Sequence, residues 1–283
     1  MSEVEKFSRL DFRDDRFVHY SLANDAINEM KFIYDLSGRN KRPVNLALIG
    51  EGGCGKTSFI HQFLSSTFAW EPAYSQFGFQ QNISYFDLPP RVTRNKLLNN
   101  ILNPKDPSER RISLGDFVIR AEEMNLKLII IDEFSELDRT NKNYKHEVLH
   151  TMKWIGNNLK IPFIVAGTDA IEPIFSGDPQ MGRRFKIIEL CDWKSGKEFE
   201  YFVYSYLKSL PGFEQLDQIN QDLFDLILGD SSSASTQDVI VTLSDAAYEA
   251  FMKRDVENVH IYARQLQAQA LRLRMRSGDA SKR

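Results

Sequence analysis

The feature that most constrains this chain is a glycine-rich stretch that fits the pattern G-x-x-x-x-G-K-[ST]. An apolar run over 44–49 precedes it and predicts a buried strand, and apolar residues at helical spacing follow it. Strand, glycine turn and helix are the context in which this pattern binds phosphate, because bare Cα atoms let backbone N–H groups converge on the anion. The alternative is a plain glycine turn. The predicted nucleotide-binding residues are Gly50, Glu51, Gly52, Gly53, Cys54, Gly55, Lys56, Thr57 and Ser58.

Composition narrows the classes of protein that fit. The 283 residues carry a net charge of −3, so contact with nucleic acid requires local basic clusters and not overall attraction. Cys54 and Cys191 are the two cysteines, and neither has a partner at C-x-x-C spacing, so zinc and a disulfide framework are unsupported. The polar start and the absence of a membrane-length apolar run lead us to expect a cytoplasmic protein without membrane partners.

Strand and helix patterns alternate through the first two thirds of the chain. Apolar runs predict strands over 44–49, 82–88, 127–131, 162–166 and 186–190, with helices between them. This alternation indicates an α/β fold with a doubly wound parallel sheet. Beyond Trp193 we predict helices over 197–210, 221–228, 244–254 and 257–276, a loop over 231–235 and no strand. We therefore divide the chain into an N-terminal arm and helix (1–42), a nucleotide-binding core (43–192) and a helical lid with a basic tail (193–283).

Two carboxylates form the second half of the predicted nucleotide site. Asp132 ends an apolar strand, which puts it at the carboxyl edge of the sheet, where it can hold Mg²⁺ together with the Thr57 hydroxyl. Glu133 is placed to polarise an attacking water. An ordinary Asp-Glu turn is the alternative. No guanine-reading N-K-x-D is present, since Asn141-Lys142-Asn143-Tyr144 lacks the aspartate.

Thr168 and the Arg183-Arg184 pair are further candidates. Thr168 follows the fourth strand, from where it can orient water or, alternatively, cap a helix. Arg183 and Arg184 precede the fifth strand. An arginine there can project into a neighbouring subunit's nucleotide site and stabilise transition-state charge; a surface pair is the alternative.

Taken in order, these residues resemble the AAA+ ATPases, and more specifically the TniB/TnsC family, which regulates target choice in DNA transposition. The resemblance runs from about Asp11 to Leu210. Besides the ATPase motifs, it is carried by six segments: Arg16-Phe17-Val18-His19-Tyr20, Phe86-Asp87-Leu88-Pro89-Pro90, Leu159-Lys160-Ile161-Pro162-Phe163-Ile164-Val165-Ala166-Gly167-Thr168, Asp178-Pro179-Gln180-Met181-Gly182-Arg183-Arg184-Phe185, Leu190-Cys191-Asp192-Trp193 and Ser209-Leu210-Pro211.

The resemblance implies roles for individual residues. Lys56 and Thr57 match Walker A, Asp132 and Glu133 match Walker B, Thr168 falls at sensor 1, and Arg184 matches the arginine finger better than Arg183. His260 stands where a sensor-2 arginine is usual, with Arg264 one turn further on as a substitute. The implied cofactors are ATP and Mg²⁺. The implied partners are duplex DNA, a transposase, a TniQ-like target selector and further copies in a ring or helical filament that hydrolysis disassembles.

Cations and hydroxyls after the second strand form the predicted DNA contact, in a region that faces the central channel in the family. They suit phosphate contacts, which carry affinity without sequence information. A solvated charged face is the alternative, because Asp106 and Glu109 intervene. The candidate residues are Arg91, Thr93, Arg94, Lys96, Arg110, Arg111 and Ser113.

Three functions compete at this point. The leading hypothesis is an ATP-dependent adaptor on DNA that directs a transposase, with ATP hydrolysis as a switch. A loader or helicase would share the ATPase core, but no aromatic platform for single strands is evident. A signalling or defence NTPase would usually carry an effector domain on the same chain.

Overall fold

The structure is a computed structural model that describes residues 7–13, 16–39, 42–68, 78–80, 82–104, 111–230 and 232–280. The described residues form two compact units. One unit runs from Leu22 to Cys191, and the other joins the residues up to Ser21 with those from Asp192 onward. No helix within these ranges is both long and apolar enough to cross a bilayer.

The unit from Leu22 to Cys191 is built on a six-stranded sheet. Its strands are β1 (Asn45–Ile49), β2 (Gly78–Gln80), β3 (Ile83–Asp87), β4 (Leu128–Asp132), β5 (Phe163–Gly167) and β6 (Phe185–Glu189). The strand order is β2-β3-β4-β5-β1-β6, and only β2 is antiparallel to its neighbour. The five predicted parallel strands are therefore confirmed. The three-residue β2 was not predicted, since it is too short to show a pattern.

Helices surround this sheet: α1 (Ser21–Leu36), α2 (Lys56–Phe68), α3 (Arg94–Leu102), α4 (Leu114–Glu123), α5 (Lys142–Asn158), α6 (Ile171–Ser176) and α7 (Pro179–Gly182). A 3₁₀ helix, Phe134–Leu137, follows β4. All five residues of β1, β4 and β5 are buried, so both faces of these strands are covered. This explains why their sequences are continuous apolar runs without alternation.

The second unit is helical, with α8 (Lys197–Lys208), α9 (Gln221–Leu228), α10 (Thr236–Met252) and α11 (Val259–Ala280). A 3₁₀ turn, Arg9–Phe12, packs on α10, where the Phe12 and Tyr248 ring centroids are 5.6 Å apart. Two predictions were wrong here. β7 (Trp193–Lys194) pairs with β8 (Ser233–Ala234), where no strand was expected, and α10 begins at Thr236, well before Ser244. The β-branched start of α10 hides its helical pattern, whereas its Ser235 cap accepts a hydrogen bond from the Asp238 N–H at 3.1 Å.

Candidate nucleotide site and its surroundings

Thr57 and Asp132, the two predicted metal ligands, are in direct contact. Thr57 lies in the first turn of α2 and Asp132 is the last residue of β4, so parallel strand order brings both to the carboxyl edge of the sheet. Thr57 Oγ1 donates a hydrogen bond of 2.6 Å to Asp132 Oδ2. Asp132 is 3% exposed. A hydroxyl and a carboxylate oxygen at one point are the hard ligands that Mg²⁺ takes in proteins.

The glycine-rich loop connects β1 to α2. Lys56 Nζ donates to the carbonyl oxygens of Gly50 at 2.6 Å and Glu51 at 2.8 Å, so its ammonium lies over the loop. Gly53 and Gly55 have φ angles of 81° and 93°, in the region that favours glycine. Cys54 is buried within the loop, and Glu51, Gly52, Thr57 and Ser58 are exposed.

Gly50 has a role that the motif alone does not reveal. A Cβ on Gly50 would lie 2.3 Å from the Leu190 carbonyl oxygen. Its N–H donates to the Gly167 carbonyl oxygen at 3.1 Å. A Cβ on Gly52, by contrast, would meet no atom within 4 Å. Gly50 is therefore required for close packing of the strand ends.

Three carboxylates meet at the ends of β3 and β4. The Glu133 N–H donates to Asp132 Oδ1 at 2.8 Å, and Glu133 has left-handed backbone angles of φ 51° and ψ 34°, a strained conformation for a non-glycine residue. Its side chain is exposed. Asp87 pairs in register with Asp132 and has an exposed side chain. Partial desolvation at the strand end, followed by the charges of Asp132 and Glu133, raises the pKa of Asp87 to about 6. Behind them, burial raises the pKa of Tyr85, whose hydroxyl is 3.2 Å from His61 Nε2.

Asp87 was not among the predicted site residues. Its signal was available, since it ends an apolar strand as Asp132 does, and parallel strands end at one edge of the sheet.

Thr168 is coupled to the segment that follows Glu133. Its N–H donates to Ser135 Oγ at 2.6 Å, and its hydroxyl donates to the same oxygen at 3.1 Å. Gly167 makes this approach possible, because a Cβ there would lie 2.4 Å from Ser135 Oγ. Thr168 Oγ1 also accepts the Ala170 N–H at 3.4 Å, in the manner of a helix cap. Ser135 was not predicted as a site residue, because it belongs to no motif.

Arg183 and Arg184 lie at the opposite edge of the sheet. They precede β6, which pairs in parallel with β1, so a strand of about 16 Å separates them from their own glycine-rich loop. They line a cavity of about 660 Å³ whose described walls carry four cations and no carboxylate. Neither arginine therefore reaches the nucleotide loop of its own chain. The described lining residues are Arg42, Pro43, Val44, Gln180, Arg183, Arg184, Phe185 and Lys186.

The predicted DNA-contact residues that the structure describes lie at or just before the starts of α3 and α4. Arg94 and Arg111 line a cavity of about 590 Å³ that Asp116 and Glu147 also line, so its described walls carry both basic and acidic side chains. Arg91 is exposed, with a left-handed φ of 54°.

Both predicted hydroxyls in this region act as helix caps. Thr93 Oγ1 accepts the Lys96 N–H at 3.3 Å. Ser113 Oγ accepts the Asp116 N–H at 3.0 Å and donates to its carboxylate at 2.7 Å. Arg110 lies outside the described residues.

His260 lies in the helical unit, at the start of α11. Its Nε2 is 3.2 Å from the Asn220 amide nitrogen, while its Nδ1 is buried without a hydrogen-bond partner among the described residues. Arg264, the alternative sensor, pairs with Asp222 at 3.1 Å. The sensor-2 assignment remains a prediction.

Comparison with known proteins supports a family and a fold. A family model described as Bacterial TniB protein matches residues 9–195. The structure is similar to Aeropyrum pernix ORC1 in complex with DNA, with a TM-score of 0.59, 15% identity and coverage of 91% of this chain and 69% of that one. It is also similar to Aeropyrum pernix ORC2 in ADPNP–ADP complexes, with a TM-score of 0.58, 17% identity and coverage of 91% and 71%.

A third similar structure is the Walker-type ATPase paby2304 of Pyrococcus abyssi, with a TM-score of 0.55, 16% identity and coverage of 94% and 78%. No curated protein matches this sequence. At these identities the structural likeness shows the fold, and the α/β fold of AAA+ P-loop ATPases is confirmed.

Proposed function

The chain belongs to the bacterial TniB family, and on this premise we propose that it is an ATP-dependent regulator of transposition. In this proposal it assembles on duplex DNA, receives the choice of target from a TniQ-like selector protein and recruits a transposase. ATP hydrolysis disassembles the complex and so acts as a switch.

The residues at the carboxyl edge fit ATP and Mg²⁺. Lys56 holds two of its N–H groups on loop carbonyls and supplies the charge that terminal phosphates require. Gly53 and Gly55 have the positive φ angles that turn successive backbone N–H groups toward an anion. Thr57 and Asp132 would hold the metal ion, which neutralises phosphate charge when it is bound.

Hydrolysis requires a base and a positioned water. Glu133 presents an exposed carboxylate next to the buried Asp132, and it is our candidate for polarising the water. Thr168, held by Ser135 just beyond Glu133, is our candidate for orienting it. Glu133 directly follows β4, so it lies with Asp132 at the carboxyl edge of the sheet.

One observation carries the proposal of a shared site: the catalytic candidates lie on opposite edges of one sheet. Lys56, Asp132 and Glu133 are at the carboxyl edge, whereas Arg184 is at the amino edge. An arginine that stabilises transition-state charge must contact the phosphates. The site is therefore completed by a second copy of the chain, in a ring or a helical filament.

DNA binding is the less direct part of the proposal. It rests on the family, on exposed Arg91 and Arg111 and on Arg94, together with one structural neighbour that was solved in complex with DNA. Contacts of this kind are made to phosphates and do not read sequence, so they suit a protein whose target is chosen by a partner.

Electron microscopy with ATP and duplex DNA tests the assembly. We expect regular rings or filaments around DNA, and oligomers that form without contacting the DNA would contradict the proposal. Arg184→Ala should abolish ATP turnover while ATP still binds, whereas Lys56→Ala should lose binding itself. If Arg184→Ala turns over ATP like the unsubstituted protein, the shared site is wrong.

A further inference from the structure

Helix α5 anchors the segment that carries the two arginines. Lys153 and Asn157 lie one turn apart on α5, on the same face. The Lys153 ammonium pairs with the Asp178 carboxylate, and both side chains are 18% exposed. Asp178 Oδ1 also accepts the Met181 N–H at 3.1 Å. The segment that leads from Asp178 to Arg184 is therefore anchored to α5 at its start.

The backbone of Arg184 is held on both sides. Its N–H donates to the Met181 carbonyl oxygen at 2.9 Å, and its carbonyl oxygen accepts the Asn45 N–H at 2.9 Å. The next residue, Phe185, stacks on Phe175 with ring centroids 4.5 Å apart. Any movement of Arg184 is therefore a movement of its side chain.

The Arg184 side chain is held by a weak hydrogen bond. Arg184 Nη1 donates to Asn157 Oδ1 at 3.0 Å, and Asn157 is exposed. A guanidinium carries five N–H donors and binds phosphate through two at once, whereas this contact uses one donor and a neutral acceptor. A charged phosphate within reach would therefore displace the amide.

We propose that Asn157 is a positioning residue that holds Arg184 against its own subunit and releases it to phosphates bound by the neighbouring copy. The inference rests on the shared site proposed above. The neutrality of Asn157 is essential to it, because a carboxylate at this position would compete with phosphate for the guanidinium. The cation-lined cavity beside Arg184 keeps this face of the subunit positive for the incoming phosphates.

A mixing experiment with the whole 283-residue chain isolates the effect of Asn157 on Arg184. The donor chain carries Lys56→Ala and keeps Arg184, and the acceptor chain carries Arg184→Ala and keeps its loop. With duplex DNA, ATP turnover then arises only where an acceptor loop meets a donor arginine. Adding Asn157→Asp to the donor should lower kcat about two- to fivefold without changing KM, the range expected for an exposed ion pair. Adding Asn157→Ala to the donor should leave kcat equal or higher.

Asn158→Asp in the donor is the matched control. It adds the same charge one residue further along α5. The amide of Asn158 donates to the Trp154 carbonyl oxygen at 2.8 Å, whereas the amide of Asn157 accepts from Arg184. Its kcat should equal that of the parent donor, and thermal unfolding should show all donors equally folded.

Two results would overturn the inference: Asn157→Asp donors that match the parent, or Asn157→Ala donors that lose as much kcat as Asn157→Asp. The second result would assign Asn157 a structural role. A parent mixture without turnover, although both chains bind DNA, would instead overturn the shared site itself.

Discussion

Replacing Gly50 by alanine should destabilise the protein independently of any effect on nucleotide. A Cβ at this position would lie 2.3 Å from the carbonyl oxygen of Leu190 and 3.1 Å from its Cβ. The first atom is backbone and cannot rotate away. The Leu190 N–H donates to the Ile49 carbonyl oxygen at 2.7 Å, so moving Leu190 also strains the pairing of β1 with β6.

The size of the effect follows from this contact. Non-bonded heavy atoms are comfortable at about 3.5 Å, so the Cβ and the carbonyl oxygen must separate by about 1 Å. Overpacking of this kind costs about 1–3 kcal/mol, and the rigid neighbour favours the upper half of that range. At about 2–4 °C per kcal/mol for a chain of this size, Tm should fall by about 4–12 °C.

Gly52→Ala is the matched control within the same loop. Its Cβ would meet no atom within 4 Å, so the free energy of unfolding should change by no more than about 0.5 kcal/mol. Thermal unfolding followed by circular dichroism, without nucleotide, measures both variants. A Gly50→Ala variant that melts at the Tm of the parent protein would refute this contact as the cause, as would a Gly52→Ala variant whose Tm falls as much as that of Gly50→Ala.

Three further predictions concern the edges of the site. Asp87→Asn should raise the free energy of unfolding at pH 7.5 by about 1 kcal/mol, because it removes a carboxylate whose charge the folded protein disfavours. This value is smaller than the full pKa shift would give, because solvent screens the exposed Asp87 side chain. Because the native pKa of about 6 lies above the unfolded one, this gain should vanish as pH falls through 6 toward 4; denaturant titrations that show a gain independent of pH would contradict it. Arg94→Glu should weaken DNA binding and reduce the salt slope by about 1, while Arg120→Glu on α4 should not, and an unchanged slope would remove Arg94 from the interface. Gly167→Ala should push Ser135 away and lower kcat while ATP affinity is kept, so an equal loss in both would argue against a role in the reaction.

β1, β4 and β5 were predictable because these strands are buried on both faces. In β4 the four residues before Asp132 are all apolar, so the strand can be recognised without knowing its neighbours. β2 and the β7–β8 ribbon have three and two residues per strand, and pairing defines them instead of pattern. The start of α10 at Thr236 was missed because β-branched residues obscure the helical repeat.

The candidate site also contains residues that the sequence predicted and residues that it did not. Thr57 and Asp132 belong to motifs whose chemistry requires them to meet, and they do meet at 2.6 Å. Asp87, Ser135 and Asn157 reach their partners across the sheet register, a loop or a helix face. Such contacts depend on three-dimensional placement, which a single sequence does not display.

The charges on the two edges of the sheet bear on how copies of the chain would meet. The carboxyl edge gathers Asp87, Asp132 and Glu133, while the cavity at the amino edge is lined by four cations. Among the residues that the structure describes, Lys186 of that cavity pairs with Glu29 at 2.7 Å. This one ion pair leaves most of the positive charge of the cavity uncompensated. Opposite charges on opposite edges favour head-to-tail contacts, and contacts of this type build rings or open filaments rather than closed two-fold dimers. In the proposed assembly the ATP phosphates would add negative charge between the two edges, so that loss of the terminal phosphate on hydrolysis weakens the contact that the nucleotide had strengthened.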